Sequence, residues 1–91
     1  MGKVDCFAIP GLDVFFRSSD HLPPHIHVGR PGQWEVRVYF LTCADDFLDF
    51  EMKWPRHGGG LNAADRKEIL ARVLEHRLEL LEEWERKVST R

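Results

Sequence analysis

The 91-residue chain is short of most features that would announce a chemistry. It has two cysteines, Cys6 and Cys43, too few for a disulfide framework or a cysteine-rich zinc module, so both are expected to be reduced, buried and inert. No apolar run approaches the roughly 20 residues of a membrane span. The opening Met1-Gly2-Lys3-Val4-Asp5 lacks the apolar centre of a secretion signal, and Cys6 stands where a myristoylation signal carries Ser or Thr. The expectation is a cytoplasmic protein with no membrane partner. Excess charge of one sign is also missing: 13 Lys/Arg face 15 Asp/Glu. Divided at Gly60, the front holds 6 basic and 8 acidic residues and the rear 7 of each, so neither part is the basic body of a strong non-specific nucleic-acid binder. There is no internal repeat and no low-complexity tract. At this length the chain is one domain, residues 1–91.

What the chain does have is a concentration of imidazoles. Three of its five histidines, His21, His25 and His27, fall in Asp20-His-Leu-Pro-Pro-His-Ile-His-Val28. No packing pattern calls for that density. Pro23 and Pro24 fix their own backbones and push their predecessors out of helical space, which delivers His25 in extended form to a short strand. Whether either X-Pro bond is cis is left open by sequence.

Alternation predicts a sheet over residues 4–54. Residues 4–9 read as a first strand ended by Pro10-Gly11, residues 12–17 as a second, and residues 25–29 as a third. Residues 33–41 give the clearest strand, with Trp34, Val36, Val38 and Phe40 on one face and Glu35, Arg37 and Tyr39 on the other. Residues 47–54 repeat the pattern, with Leu48, Phe50, Met52 and Trp54 inward. A basic, glycine-rich loop follows at 55–61. A single long helix is expected over 62–88, capped by Asn62 with Asp65 in the capping-box position and Leu61 as staple. Its apolar stripe is Ile69, Leu70, Val73, Leu74, Leu80, Leu81, Trp84 and Val88, with the helix's six glutamates assigned to the wet side. The fold class is α+β: an antiparallel sheet of three to five strands packed on one long C-terminal helix.

Two details bear on the site. A three-residue turn pairing Val28 with Trp34, His27 with Glu35, Ile26 with Val36 and His25 with Arg37 matches apolar with apolar, which a two-residue turn does not. It puts His25 and His27 on an open face with Glu35, Arg37 and Tyr39. Arg77 falls inside the helix's apolar stripe, so its guanidinium must snorkel out or find an acceptor; Asp20 or a carbonyl near the double proline is the expected partner.

Phe15-Phe16, Asp20-His21, Pro23-Pro24-His25 and His27, followed by His76-Arg77, Glu79-Leu80-Leu81 and Trp84, resemble a bacterial family of small proteins, the "domain of unknown function 4160". The resemblance sits in two blocks at the ends of the domain, and Tyr39 to Gly60 carries little of it. It implies a small cognate protein partner encoded nearby, and for some members the role of a toxin in a toxin–antitoxin pair. It brings no activity or substrate.

Three readings of the cluster stand together. Neutral imidazoles with a carboxylate suit a divalent metal such as zinc, nickel or copper, with His21, His25 and His27 as ligands and Asp20 able to complete the set; the spacing matches no specific zinc motif. Alternatively, His21, His25 and His27 could run acid–base chemistry on RNA, with Arg37, Lys53, Arg56 or Arg77 stabilising the developing phosphate charge and the loop at Arg56 and His57 following the phosphate backbone; Asp20 belongs to the same binding surface. In the third, the histidines are structural, and His76 is a packing residue beside them in kind. Trp34, Trp54 and Trp84 read as core, with Trp54 the one placed to meet a partner. The leading functional expectation is a toxin-like component acting on RNA or translation. The rival is a non-catalytic, metal-dependent protein-binding module, and an exposed edge strand is compatible with a homodimer.

Overall fold

The computed structural model describes residues 2–55 and 60–88. Five strands run in the order in which they occur, β1 (Gly2–Lys3), β2 (Asp13–Phe16), β3 (Ile26–Arg30), β4 (Trp34–Val38) and β5 (Phe50–Trp54), each antiparallel to the next. Two helices follow, α1 (Ala63–Glu75) and α2 (Arg77–Lys87). Val14 and Phe16, Ile26 and Val28, and Trp34, Val36 and Val38 line one sheet face, and the helices bury it with Ile69, Val73, Leu80 and Trp84. Trp84 meets Phe16 edge-on at 6.2 Å. The class is α+β, as alternation and helical spacing require.

Several expectations need correction. The single long helix is two shorter ones, because His76 leaves helical space at φ −113°, ψ 18°. Its ring stacks on Phe7 at 5.4 Å and pairs with Glu75 and Glu79. Backbone bonds reach His76 from both sides, its N–H donating to the Arg72 carbonyl and its carbonyl accepting from the Leu80 N–H, so each helix ends on this one residue. The predicted N-cap holds, since the Asn62 side chain accepts from the Asp65 N–H at 2.7 Å. The Asp65 carboxylate is turned to Arg30 instead.

The first strand lies earlier than residues 4–9. Val4 still donates to the Val14 carbonyl at 3.1 Å, but the Asp5 and Cys6 N–H groups are taken by the Glu83 carboxylate at 2.8 and 2.9 Å. That lifts the chain off the sheet. Val4, Phe7 and Ile9 are nonetheless core residues. Glu83 itself, assigned to the wet side by its charge, is buried.

The β3–β4 register is shifted by two residues from the expected one, with Ile26 opposite Val38, His27 opposite Arg37 and Val28 opposite Val36. Pro31-Gly32 are the central residues of a turn closed by Gln33 N–H to the Arg30 carbonyl at 2.9 Å, and Gly32 at φ +76° supplies the conformation that a Pro-Gly turn of this type demands. A shift of two preserves the faces, so apolar still meets apolar.

The last correction is Trp54. A register irregularity between Glu35 and Val36 pairs Glu35 with Trp54 while Val36 pairs with Met52. Lys53 is the extra residue, and a bulge of this kind turns the following side chain over. Trp54 therefore leaves the core parity and is 40% exposed. The Leu22–Pro23 and Trp54–Pro55 bonds are cis.

Candidate functional site

The second face of the sheet holds the histidine cluster, and it is not open. β3 carries His27 to the middle of that face, opposite Arg37 and beside Phe15 of β2. Phe15 stacks on the His27 ring at 5.2 Å and 17°, and the Arg17 guanidinium lies over Phe15 at 5.1 Å. Arg17 also donates to Glu35 at 3.1 Å, with Lys53 3.5 Å from the same carboxylate oxygen. The turn after β2 folds back over the rings and lowers Asp20 onto them. As a result His27 is 1% exposed, His25 5% and Asp20 8%. The expected open face is roofed because residues 15, 17, 20 and 35 pack into one layer above it.

Asp20 is the centre of this layer. Its carboxylate accepts from the Arg17 N–H at 2.9 Å and faces His27 Nε2 at 3.0 Å from both oxygens. Burial pushes that carboxyl up, but the His27 and Arg17 hydrogen bonds outweigh it and hold Asp20 below the ordinary aspartate value. For His27 burial is the largest influence and lowers the imidazole below its ordinary value, against the pull of Asp20. The two agree on one state: an ionised Asp20 accepting from a neutral His27. Glu35, also lifted by burial, is brought below its usual value by Arg17 and Lys53.

His25 enters β3 from the double proline with its Nδ1 2.8 Å from the Pro23 carbonyl. A carbonyl only accepts, so Nδ1 carries the proton. Nε2 then points at Asp20 Oδ1, 3.5 Å away. The ring is held by His27, Tyr39 and Trp84 at centroid distances of 5.1, 5.5 and 5.4 Å. The double proline's part is thus to aim one ring nitrogen.

Of the residues expected at the site, Asp20, His25 and His27 come together, and His21 stays exposed on the turn. Arg37 shares the face but its guanidinium is bonded to Glu51 at 2.7 Å. Arg77 does not reach Asp20 or the double proline. It donates to the Cys43 carbonyl at 2.6 Å in the loop after β4. Arg56 and His57 lie outside the described residues. Arg17, whose N–H and guanidinium serve Asp20 and Glu35, was missed; its signal was the outward position it shares with Phe15 in β2.

Two groups of donor atoms among the described residues lie within 4.8 Å of one another: Asp20, His25 and His27, all buried, and Cys6, His76 and Glu79, partly exposed. In the second group burial and the neighbouring Glu83 push the Cys6 thiol up to about 12, which keeps it protonated and a poor ligand.

A model of the family described as a domain of unknown function (DUF4160) matches residues 11–85. The chain belongs to that family. The DUF4160 match takes in both blocks of the resemblance and therefore every residue of the Asp20 cluster. No curated protein matches the chain, and no solved structure does. No helix among the described residues is long and apolar enough to cross a membrane.

Proposed function

We propose that this DUF4160 protein is a non-catalytic binding component that acts through a small protein partner. The partner docks on the β4–β5 hairpin. The observation that carries this reading is the contrast between sealed histidines and exposed apolar side chains. A general base must come within hydrogen-bond reach of the proton it takes, and rings 1% and 5% exposed do not reach an RNA 2′-hydroxyl. The β4–β5 hairpin, by contrast, exposes Leu41, Phe47 and Trp54. Its outer strand β5 is the last of the sheet among the described residues, an edge of the kind that accepts strand addition by a partner. Trp54 itself lines a cavity of about 510 Å³ together with Phe7, Leu12, Phe15, Arg30 and Trp34. An apolar recess next to an exposed tryptophan is the kind of anchor point on which protein interfaces concentrate their energy.

The test is a pair of assays on purified protein. Binding to the protein encoded beside it is expected to fall at least about tenfold in Trp54→Ser with the fold intact, as loss of an aromatic anchor predicts. RNA incubated with wild type is expected to stay whole. Cleavage by wild type but not by His25→Ala/His27→Ala would overturn this reading and favour the toxin-like one acting on RNA.

A further inference from the structure

We propose that Asp20, His25 and His27 bind one divalent transition-metal ion of the zinc class. In this site Glu35 and the Pro23 carbonyl act as the outer partners that orient the two rings. The proposal does not depend on the partner reading; it concerns what fills the sealed cluster.

The two rings have lone pairs that the protein leaves unmatched. With Nδ1 of His25 committed to the Pro23 carbonyl at 2.8 Å, a neutral His25 presents a bare Nε2 to a carboxylate oxygen 3.5 Å away. His27 has the matching difficulty at its other end. If its Nε2–H donates to Asp20 at 3.0 Å, its Nδ1 is bare, without a hydrogen-bond partner among the described residues, and 3.5 Å from Glu35 Oε2. Two lone pairs thus point at two carboxylates, and that of His27 Nδ1 is fully buried. Water is a poor remedy there, a proton on His25 alone leaves His27 Nδ1 bare, and protonating both rings sets two cations side by side with centroids 5.1 Å apart.

One cation between the three side chains removes both conflicts. His25 keeps its Nδ1–H on the Pro23 carbonyl and gives Nε2 to the metal. His27 gives Nε2 to the metal as well, and its single proton sits on Nδ1, aimed at Glu35. No ring loses a proton overall. The result is the pattern in which a metal-bound imidazole donates its second N–H to a carboxylate or a backbone carbonyl, here once to each. The spacing fits too. Metal–ligand bonds of about 2.0–2.2 Å in a tetrahedron put ligand atoms roughly 3.3 Å apart; Asp20 Oδ1 lies 3.0 Å from His27 Nε2 and 3.5 Å from His25 Nε2. Two imidazoles and one carboxylate exclude calcium and magnesium as the preferred ions and favour zinc and its neighbours. Three protein ligands leave one position for water or an incoming group. His21 is not needed.

The experiment uses the full chain, stripped by chelator and titrated with zinc alone. Wild type is expected to take one equivalent, and its Tm to rise by about 10 °C or more when free zinc is ~100-fold above Kd. Asp20→Ala is expected to lose at least about 100-fold in affinity, Glu35→Gln about 10–100-fold, and Cys6→Ser none. Because Asp20→Ala removes a buried group and could fail to fold, cobalt(II) is added to wild type in parallel. Visible d–d bands without a near-ultraviolet thiolate band are expected. Less than half an equivalent of zinc bound by wild type would overturn the proposal. So would unchanged affinity in a folded Asp20→Ala or in Glu35→Gln, or a thiolate band that Cys6→Ser abolishes.

Discussion

Asp20 and Glu83 are carboxylates buried to nearly the same degree, 8% and 4% exposed, yet they do different work. Glu83 is surrounded by groups that can only donate: the Asp5 and Cys6 N–H groups at 2.8 and 2.9 Å and Lys87 Nζ at 2.8 Å. Every lone pair it turns inward meets a proton, so it is a finished clamp tying the N-terminal segment to α2. Asp20 meets one such donor, Arg17 N–H, and two imidazoles whose nitrogens can either donate or accept. That leaves His25 Nε2 and His27 Nδ1 facing oxygen with nothing between. Burial alone does not mark a site. Incomplete donor accounting among buried groups does.

The largest effect expected follows from the finished clamp. Glu83→Ala leaves two backbone N–H groups and an ammonium without their acceptor, and is expected to cost about 3 kcal/mol and lower Tm by roughly 15 °C. Asp20→Ala in metal-free protein orphans the Arg17 N–H and the buried His27 Nε2–H but relieves the lone-pair conflict at His25, so about 2 kcal/mol is expected. Urea titration of both variants, stripped of metal, ranks them. If Asp20→Ala costs more than Glu83→Ala without metal, the contrast between the two carboxylates is broken.

The clamp also sets a pH profile. Burial pushes Glu83 up, but Lys87 and the Asp5 and Cys6 N–H groups hold it below the ordinary 4.5. A depressed carboxylate contributes stability that is present above the unfolded value and lost as pH falls through the folded one. Lys87 runs the other way. Burial lowers it, its bonds to Asp5 and Glu83 overcome that, and it ends above 10.5. Its contribution is present below the unfolded value and lost as pH rises through the folded one. Thermal melts are therefore expected to show a plateau between about pH 7 and 10 with an arm falling away on each side; the acid side begins below 6.5, where the unfolded chain protonates His27 before the folded one does, and steepens as the lowered carboxylates are reached. Glu83→Gln is expected to reduce the acid arm and leave the share of Asp20 and Glu35. An acid arm unchanged by Glu83→Gln would place the acid-sensitive group elsewhere.

These contrasts bear on what could be read from sequence. Parity along β3 and β4 placed His25 and His27 on one face with Glu35, and even a turn misplaced by two residues kept that assignment, since side chains alternate with period two. Whether the face was open depended on residues 15, 17 and 20 folding over it, and alternation carries no information about what covers a sheet. Glu83 occupies the i+3 position from Leu80 and lies next to Trp84, so the helical stripe contained it; its charge argued it outward because the acceptor role for the Asp5 and Cys6 N–H groups comes from a segment 77 residues away. Arg77 was recognised as a charge in the wrong place, but its acceptor, the Cys43 carbonyl, lies in an irregular loop. Trp54 left the core through a bulge at Lys53 that no residue type announces.

Glu35 gives the smallest and most discriminating effect. In metal-free protein its carboxylate is held by Arg17, 39% exposed, and Lys53, 32% exposed, and ion pairs at that exposure are worth little. Glu35→Gln is therefore expected to change stability by less than about 1 kcal/mol without metal. With saturating zinc the same substitution is expected to remove part of the metal-induced rise in Tm, because the His27 Nδ1–H loses a charged acceptor. The two melts together form a cycle that separates packing from orientation of the ring. A purely structural Glu35 predicts the same small difference in both melts, and that outcome would reduce the Asp20 cluster to a second clamp like Glu83.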